Sequence, residues 1–270
     1  MDNRKIGIFD SGLGGLTVMK ELMELMPKES VVYFGDTGRI PYGTKSEDTV
    51  VKYTRSDINF LNTFPLKTIV AACGTASSIA LPRLKDQYDI PMLGVTAAAS
   101  REAARVTRNG RVGVIGTAAT IRSGAYRALL EQENPAIQTV SVACPMFVPL
   151  VEYGYAETEV AKMIAADYLK SIIDSGADTL ILGCTHYPLL HKVIQSVVGD
   201  TVVLVNPGAC VAREIREKLD KNNMLTDKKD KDQYQFYVSD DPAEFVRLGS
   251  TFLEHPINGL ISRVDIEKYM

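Results

Sequence analysis

The feature that most constrains the fold is a series of nine short apolar runs without polar alternation. Such runs are typical of strands buried on both faces, as in a parallel sheet covered by helices. The stretches between them carry the apolar spacing of helices, and turn residues mark the junctions. The sequence therefore predicts an α/β fold with mostly parallel sheets flanked by helices. The predicted strands are residues 5–9, 31–34, 68–72, 92–95, 112–115, 139–143, 179–182, 202–205 and 235–238.

Two pairs of segments resemble each other at nearly the same spacing. KIGIFDSGLGG, from residue 5, resembles RVGVIGTAAT, from residue 111, and TIVAACGTAS, from residue 68, resembles TLILGCTHYP, from residue 179. This repeat predicts two related α/β halves, and we divide the chain into 1–97 plus 207–270 and 98–206. In open α/β sheets, ligands bind beyond the carboxyl ends of the strands. If the halves face each other, Cys73 and Cys184 approach one cleft from opposite sides.

Charge and cysteine content exclude several classes of protein. The chain has 270 residues, and 30 Lys plus Arg against 33 Asp plus Glu give a net charge of −3, which argues against nucleic-acid binding. It contains neither a signal-peptide pattern nor a run near the roughly 18 apolar residues that a membrane helix needs. We therefore expect a cytoplasmic protein without membrane attachment. The four cysteines form no C-x-x-C pair, so we expect reduced thiols and no metal site.

Cys73 and Cys184 are the strongest candidates for chemistry. Each follows an apolar strand and precedes an expected helix, whose free N–H groups favour a thiolate. His186 lies two residues beyond Cys184, where an imidazole can exchange a proton with the thiol. Cys144 and Cys210 are interpreted as buried structural residues.

Three further loops carry small polar residues at the ends of predicted strands. They contain Asp10 and Ser11, Tyr42 and Gly43, and Thr117 and Thr120. The first loop matches neither the dinucleotide G-x-G-x-x-G pattern nor the phosphate-binding loop G-K-[ST]. Converging loops of this kind predict a small polar pocket for an anionic or zwitterionic ligand.

Other segments give weaker predictions. His191 is expected on a helix surface and His255 in a loop. Asp241 is expected to cap a helix that begins with Pro242, with Glu244 as its capping-box partner. The mixed charges of residues 222–233 indicate a solvated loop.

The motifs IGIFDSGLGGLTV, GDTGRIPYG, AACGTAS, GTAAT, LVEYG and LGCTHYPLL occur together and in this order. In this respect the chain, from about residue 5 to about residue 255, resembles the cofactor-independent aspartate/glutamate racemase family. The resemblance implies two similar domains related by an approximate twofold axis, with the active site in the cleft between them. It further implies interconversion of L- and D-glutamate without a cofactor, supply of D-glutamate for peptidoglycan synthesis, and a homodimer.

The resemblance also implies roles for individual residues. Cys73 and Cys184 match the two acid/base thiols, and Asp10, His186 and Glu152 match the groups that support them. The positions that match substrate contacts are Asp10, Ser11, Tyr42, Gly43, Thr75, Thr185 and His186, to which we add the backbone N–H of Gly74 and the hydroxyls of Thr117 and Thr120.

Two positions depart from the family's pattern. Gly74 stands where Asn is usual, and Gly38 stands where Ala is usual. Losing a hydrogen bond to a charged substrate group costs on the order of 1.5–3 kcal/mol. Because glycine either enlarges a pocket or removes a contact, two alternatives stay open. One is a racemase of another acid, such as aspartate, and the other is a binding protein with little turnover.

Overall fold

The structure, a computed structural model, describes residues 1–227, 233–257 and 261–270. All nine predicted strands are confirmed to within about two residues, and a tenth, short strand lies near the C-terminus. The strands are β1 (Lys5–Asp10), β2 (Val31–Gly35), β3 (Leu66–Ala71), β4 (Met92–Gly94), β5 (Arg111–Gly116), β6 (Gln138–Ala143), β7 (Thr179–Leu182), β8 (Val203–Val205), β9 (Tyr234–Val238) and β10 (Ile261–Arg263).

Twelve α-helices lie in the described ranges, together with several short turns of 3-10 helix. The helices are α1 (Leu16–Leu25), α2 (Glu47–Leu61), α3 (Gly74–Ile79), α4 (Leu81–Leu84), α5 (Val95–Val106), α6 (Ala118–Arg122), α7 (Ala125–Glu133), α8 (Phe147–Glu152), α9 (Glu159–Asp174), α10 (His191–Val198), α11 (Pro207–Lys221) and α12 (Pro242–Leu253).

The strands form two sheets in which every pair is parallel. The first sheet has the order β10-β9-β2-β1-β3-β4, and the second has the order β6-β5-β7-β8. The run β2-β1-β3-β4 thus has the same order as β6-β5-β7-β8, as the sequence repeat predicts. The division at 97/98 and 206/207 stays a prediction, and α5 runs across the first of these positions.

The first sheet is covered on both faces, which explains its unalternating strands. Along β1, Ile8 packs in the cluster that contains residues of α1, α11 and α12, while Phe9 packs on the other face with residues of α2 and α3. The Ile8 cluster continues into the second sheet, where it includes Val114 and Leu180. The two sheets therefore share one apolar core.

The start of α12 matches its prediction in part. The Asp241 side chain accepts a hydrogen bond from the Ala243 N–H at 2.9 Å, which confirms the cap. Glu244 instead forms an ion pair with Arg247, one helical turn later. Residues 228–232 of the predicted solvated loop lie outside the described residues. His191 is exposed at the start of α10, and His255 is exposed after α12, as expected.

Replacing the cap of α12 is expected to destabilise the protein modestly. Asp241→Ala removes the acceptor for a helix N–H and should lower the free energy of unfolding by about 1 kcal/mol. Chemical denaturation measures this loss, and Asp240→Ala, at the exposed neighbouring position, is the matched control. Equal stability of the two variants would contradict the role of the cap.

None of the helices in the described ranges is both long and apolar enough to cross a membrane.

Candidate active site

One large cleft, with a volume of about 1080 Å³, opens between loops of the two halves. It is lined by most of the predicted site residues, namely Ser11, Tyr42, Gly43, Cys73, Gly74, Thr75, Thr117, Glu152, Cys184, Thr185 and His186. Asp10 and Thr120 are almost fully buried and do not line the cleft, but each interacts with residues that do. The residues that sequence reasoning selected thus come together in space.

Cys73 follows β3 and caps α3, as the sequence predicts. Its sulfur donates a weak hydrogen bond to the Ser11 hydroxyl at 3.5 Å. Burial and the nearby Asp10 carboxylate raise the pKa of Cys73 to about 12. The Ala76 N–H at the start of α3 lowers the pKa, as expected of a helix N-terminus, but burial and the neighbouring negative charge outweigh it. Cys73 is a protonated thiol at neutral pH.

Cys184 has different surroundings. The segment after β7 forms a turn, and a 3-10 helix begins only at Tyr187, so the expected helix start at Cys184 is wrong. The Cys184 sulfur lies 3.9 Å from Nδ1 of His186, and Nε2 of His186 lies 3.0 Å from Oε1 of Glu152. The imidazole of His186 thus lies between the Cys184 sulfur and the Glu152 carboxylate and contacts both.

Two opposing effects set the protonation of His186. Burial alone lowers the pKa of His186, but the contacts with Cys184 and Glu152 outweigh burial and raise it to about 10. His186 is therefore an imidazolium at neutral pH, and its positive charge stabilises negative charge on a neighbouring sulfur.

Glu152→Gln is expected to shift the pKa of His186 toward the ordinary histidine value of about 6.5. A raised pKa in the folded state stabilises the protein fully below about pH 6.5, and this stabilisation is lost as the pH rises toward about 10. The variant should therefore have a lower free energy of unfolding than the parent at neutral pH, and the difference should become smaller in alkali. NMR titration of the imidazole measures the pKa directly.

The matched control is Glu157→Gln, because Glu157 is an exposed residue paired with Lys192. It should leave the His186 titration unchanged. An unchanged titration in Glu152→Gln would contradict the role of the carboxylate.

Asp10 ends β1, beside β3 and therefore beside Cys73. Its Oδ2 accepts the Gly12 N–H at 2.9 Å, whereas its Oδ1 has no hydrogen-bond partner in the described part of the chain. Burial raises the pKa of Asp10, and the charge of His186 opposes the shift. This carboxyl thus lies between the two cysteine loops, near Cys73 on one side and His186 on the other.

Three hydroxyls from the two halves form a closed cluster. Thr75 contacts Thr117 at 2.9 Å and Thr120 at 3.1 Å, and these two contact each other at 2.9 Å. Each hydroxyl can donate one proton and accept two. The cluster lies beside the loop of Cys73. Because its three contacts can use all three protons, a hydroxyl donates to an anionic group in the cleft only by turning away from one of its neighbours.

Gly74 brings the two cysteine loops into backbone contact. A Cβ atom at this position would lie 2.4 Å from the carbonyl oxygen of Gly183, which precedes Cys184. The expectation that glycine enlarges the pocket here is therefore wrong, because backbone of the other half fills the space. Gly38 lies beside Ser239 and Asp240 and is not among the residues that line the cleft.

Part of the cleft wall was not predicted from the sequence. Phe252 of α12 lies edge-on to the ring of His186, with 5.0 Å between centroids, and no sequence motif marks it. Cys144 lines the cleft but is buried, and burial raises the pKa of its thiol. Cys210 lies in α11, where its sulfur accepts a hydrogen bond from Arg213 at 3.5 Å. The interpretation of both as buried residues is confirmed.

Comparison with known families agrees with this geometry. The sequence model described as Asp/Glu/hydantoin racemase matches residues 7–215. The chain belongs to this family. A member of the racemase family, the glutamate racemase of Geobacter metallireducens, is 48% identical over 250 residues, which is 93% of each chain. The family resemblance predicted from the motifs is thus confirmed.

Solved structures of racemases have the same fold. The glutamate racemase of Francisella tularensis, crystallised with D-glutamate, superimposes with a TM-score of 0.93 at 37% identity over the whole of both chains. A glutamate racemase isoform of Bacillus anthracis gives a TM-score of 0.93 at 34% identity over 98% of both. These matches confirm the predicted fold class.

Proposed function

We propose that this racemase interconverts L- and D-glutamate by acid–base catalysis with Cys73 and Cys184, without a cofactor. The observation that carries the proposal is the placement of these two thiols on loops from opposite halves, at one cleft. Racemisation removes a proton from one face of the α-carbon and returns a proton to the other face. Two groups on opposite sides of the substrate meet this requirement, whereas one group does not.

The protonation states fit such an exchange. In one direction Cys184, beside the His186 imidazolium, takes the α-proton, and Cys73 gives its thiol proton to the opposite face. The sulfur that takes the proton becomes a thiol, and the sulfur that gives one becomes a thiolate. In the reverse reaction Cys73 takes the proton and Cys184 gives one. The Asp10 carboxyl lies beside Cys73, and Glu152 contacts His186 beside Cys184.

The carbanion formed at the α-carbon needs stabilisation by donors at the substrate carboxylate. We assign this task to Ser11, to the backbone of Gly43 and Gly74, and to the hydroxyls of Thr75 and Thr185. Thr117 and Thr120 hold Thr75 in place through the hydroxyl cluster. All these groups lie on loops or in the first turns of short helices that follow the strands, so the sheets fix their positions.

Glutamate is favoured over aspartate because the similar proteins described above are glutamate racemases. A panel of purified L-glutamate, L-aspartate and their enantiomers tests this choice. We expect the highest kcat/KM with glutamate. A higher value with aspartate would favour the alternative substrate, and no turnover of either would favour a binding role.

We further propose, from the family resemblance, that the protein acts in the cytoplasm as a homodimer and supplies D-glutamate for peptidoglycan. Sedimentation of the purified chain tests the dimer. Depletion of the protein should create a requirement for D-glutamate that the L enantiomer does not satisfy.

A further inference from the structure

A buried cluster of charged residues lies behind the cleft wall formed by Tyr42 and Gly43. The Tyr42 hydroxyl contacts Oδ2 of Asp36 and, at 2.9 Å, Oδ2 of Asp57. Arg39 bridges the same two carboxyls, with Nε 2.7 Å from Asp36 and Nη2 2.9 Å from Asp57. Asp36, Tyr42 and Asp57 are essentially inaccessible to solvent.

The contacts of this cluster need one proton more than the ordinary ionisation states supply. A tyrosine hydroxyl carries one hydrogen and can donate to only one of the two carboxyl oxygens beside it. With both carboxyls ionised, the second oxygen would face the hydroxyl without a hydrogen between them. Two carboxylates and one guanidinium would also leave a buried net negative charge, which is costly. One added proton satisfies both the contact and the charge.

The geometry points to Asp57 as the carrier of that proton. Asp36 accepts three hydrogen bonds, from Arg39, from Tyr42 and from the Ser239 hydroxyl at 2.8 Å. These donors stabilise its negative charge. Apart from the Tyr42 hydroxyl, which it shares with Asp36, Asp57 has only the bond from Arg39, so it is the carboxyl that gains most from protonation. The hydrogen bonds then run from Asp57 to the Tyr42 hydroxyl and from that hydroxyl to Asp36.

The cluster is joined to the cleft at two places. Tyr42 begins a turn of 3-10 helix, Tyr42–Thr44, in which Gly43 packs against Thr117 of the other half so closely that a Cβ atom would lie 2.6 Å from the Thr117 Cβ. In addition, the Asp36 N–H donates to the Asp10 carbonyl at 3.0 Å. A change in the cluster therefore acts on the turn and on the strand end that carry the predicted substrate contacts.

We propose that Asp57 is a positioning residue whose proton completes the cluster with Tyr42 and Asp36 and thereby holds the Tyr42–Thr44 turn at the cleft. This role in substrate binding rests on the proposed function, whereas the placement of the proton does not. Asp57 lies within α2 and does not line the cleft. It acts on the substrate only through Tyr42.

The role of Asp57 predicts a pH effect. Burial and the nearby Asp36 raise the pKa of Asp57, while Arg39 opposes the shift. Asp10 adds a further repulsive charge from the end of β1. On its own helix, Tyr53 stacks on Arg39 at 4.3 Å. Loss of the proton in alkali places a second negative charge against Asp36, which loosens the turn and raises KM more than it changes kcat.

The test compares Asp57→Asn with Asp36→Asn, and Asp48→Asn, at a fully exposed side chain of the same helix, is the control. Carboxyl ¹³C NMR of aspartate-labelled protein should show a protonated aspartate at neutral pH whose signal is lost in Asp57→Asn and kept in Asp48→Asn. The asparagine amide donates to Tyr42 as the carboxyl does, so this variant should fold and should show no alkaline rise in KM for L-glutamate.

Asp36→Asn should raise KM by about 10-fold or more, because it removes the carboxylate that three donors need. Two results would overturn the proton placement without any measurement of turnover. One is an NMR spectrum in which Asp57→Asn loses no protonated signal, and the other is an Asp57→Asn chain that fails to fold. If the signal is lost but neither variant changes KM or its pH dependence, the positioning role is overturned while the racemase proposal stands.

Discussion

Cys73→Ser and Cys184→Ser should each lower racemisation by on the order of 10²- to 10⁴-fold in both directions, the usual contribution of one acid or base. A serine hydroxyl has nearly the shape of the thiol but is far less acidic, so it neither takes nor gives the α-proton at a useful rate. Both residues are buried, with 5% and 8% of their surface exposed, so a replacement of nearly the same shape should leave the surrounding packing in place.

The two variants should differ in which enantiomer of glutamate still exchanges its α-proton with solvent. With one thiol left, a substrate whose α-proton faces that thiol can still exchange it for solvent deuterium without inversion. Each variant should therefore exchange one enantiomer of glutamate, and the two variants should act on opposite enantiomers. ¹H NMR of the α-position in deuterated buffer measures this.

Cys210→Ser is the matched control, because Cys210 is a buried cysteine in α11 that is not among the residues lining the cleft. It should keep racemisation within about 2-fold of the parent, as ordinary substitutions outside a site do. Full two-way racemisation by either Cys73→Ser or Cys184→Ser would contradict the two-thiol mechanism.

Gly74→Ala should lower kcat/KM by about 10²-fold, because even a small displacement of reacting groups has effects of this size. The added Cβ would lie 2.4 Å from the Gly183 carbonyl oxygen, so the loops of Cys73 and Cys184 must move apart. Overpacking of this kind also costs about 1–3 kcal/mol of stability.

Gly38→Ala is the control for this substitution. A Cβ at Gly38 has its nearest neighbour, the Ser239 hydroxyl, at 3.3 Å, and Gly38 does not line the cleft. Its kinetics should match those of the parent. Parent-like kinetics in Gly74→Ala would show that the backbone contact does not set the separation of the thiols.

The fold was largely predictable because each strand of the interior is a continuous apolar run between turn residues. Strand β10 was missed since Ile261–Arg263 has three residues and only one of them is apolar. The paired cysteines were recognisable because a repeat places both at strand ends. The protonation of Cys73 and His186 was not predictable, because it depends on burial and on Asp10 and Glu152, which lie far away in sequence.

Contacts between distant segments explain the remaining differences. Asp57 lies within an ordinary amphipathic helix, and only the folded chain brings it to Tyr42. Gly74 lacks a side chain, so the sequence indicates an open pocket, whereas packing against Gly183 fills the space. Phe252 becomes a neighbour of His186 only when α12 packs against the first sheet.

Incubation of the purified protein with L-glutamate in deuterated buffer tests the central claim most directly. No pyridoxal or metal is added, L-aspartate is run in parallel, and optical rotation and α-proton exchange are followed together. The two-thiol account predicts exchange of the α-proton with loss of rotation for glutamate. Absence of exchange with both acids would contradict it and would leave the cleft as a binding site without this chemistry.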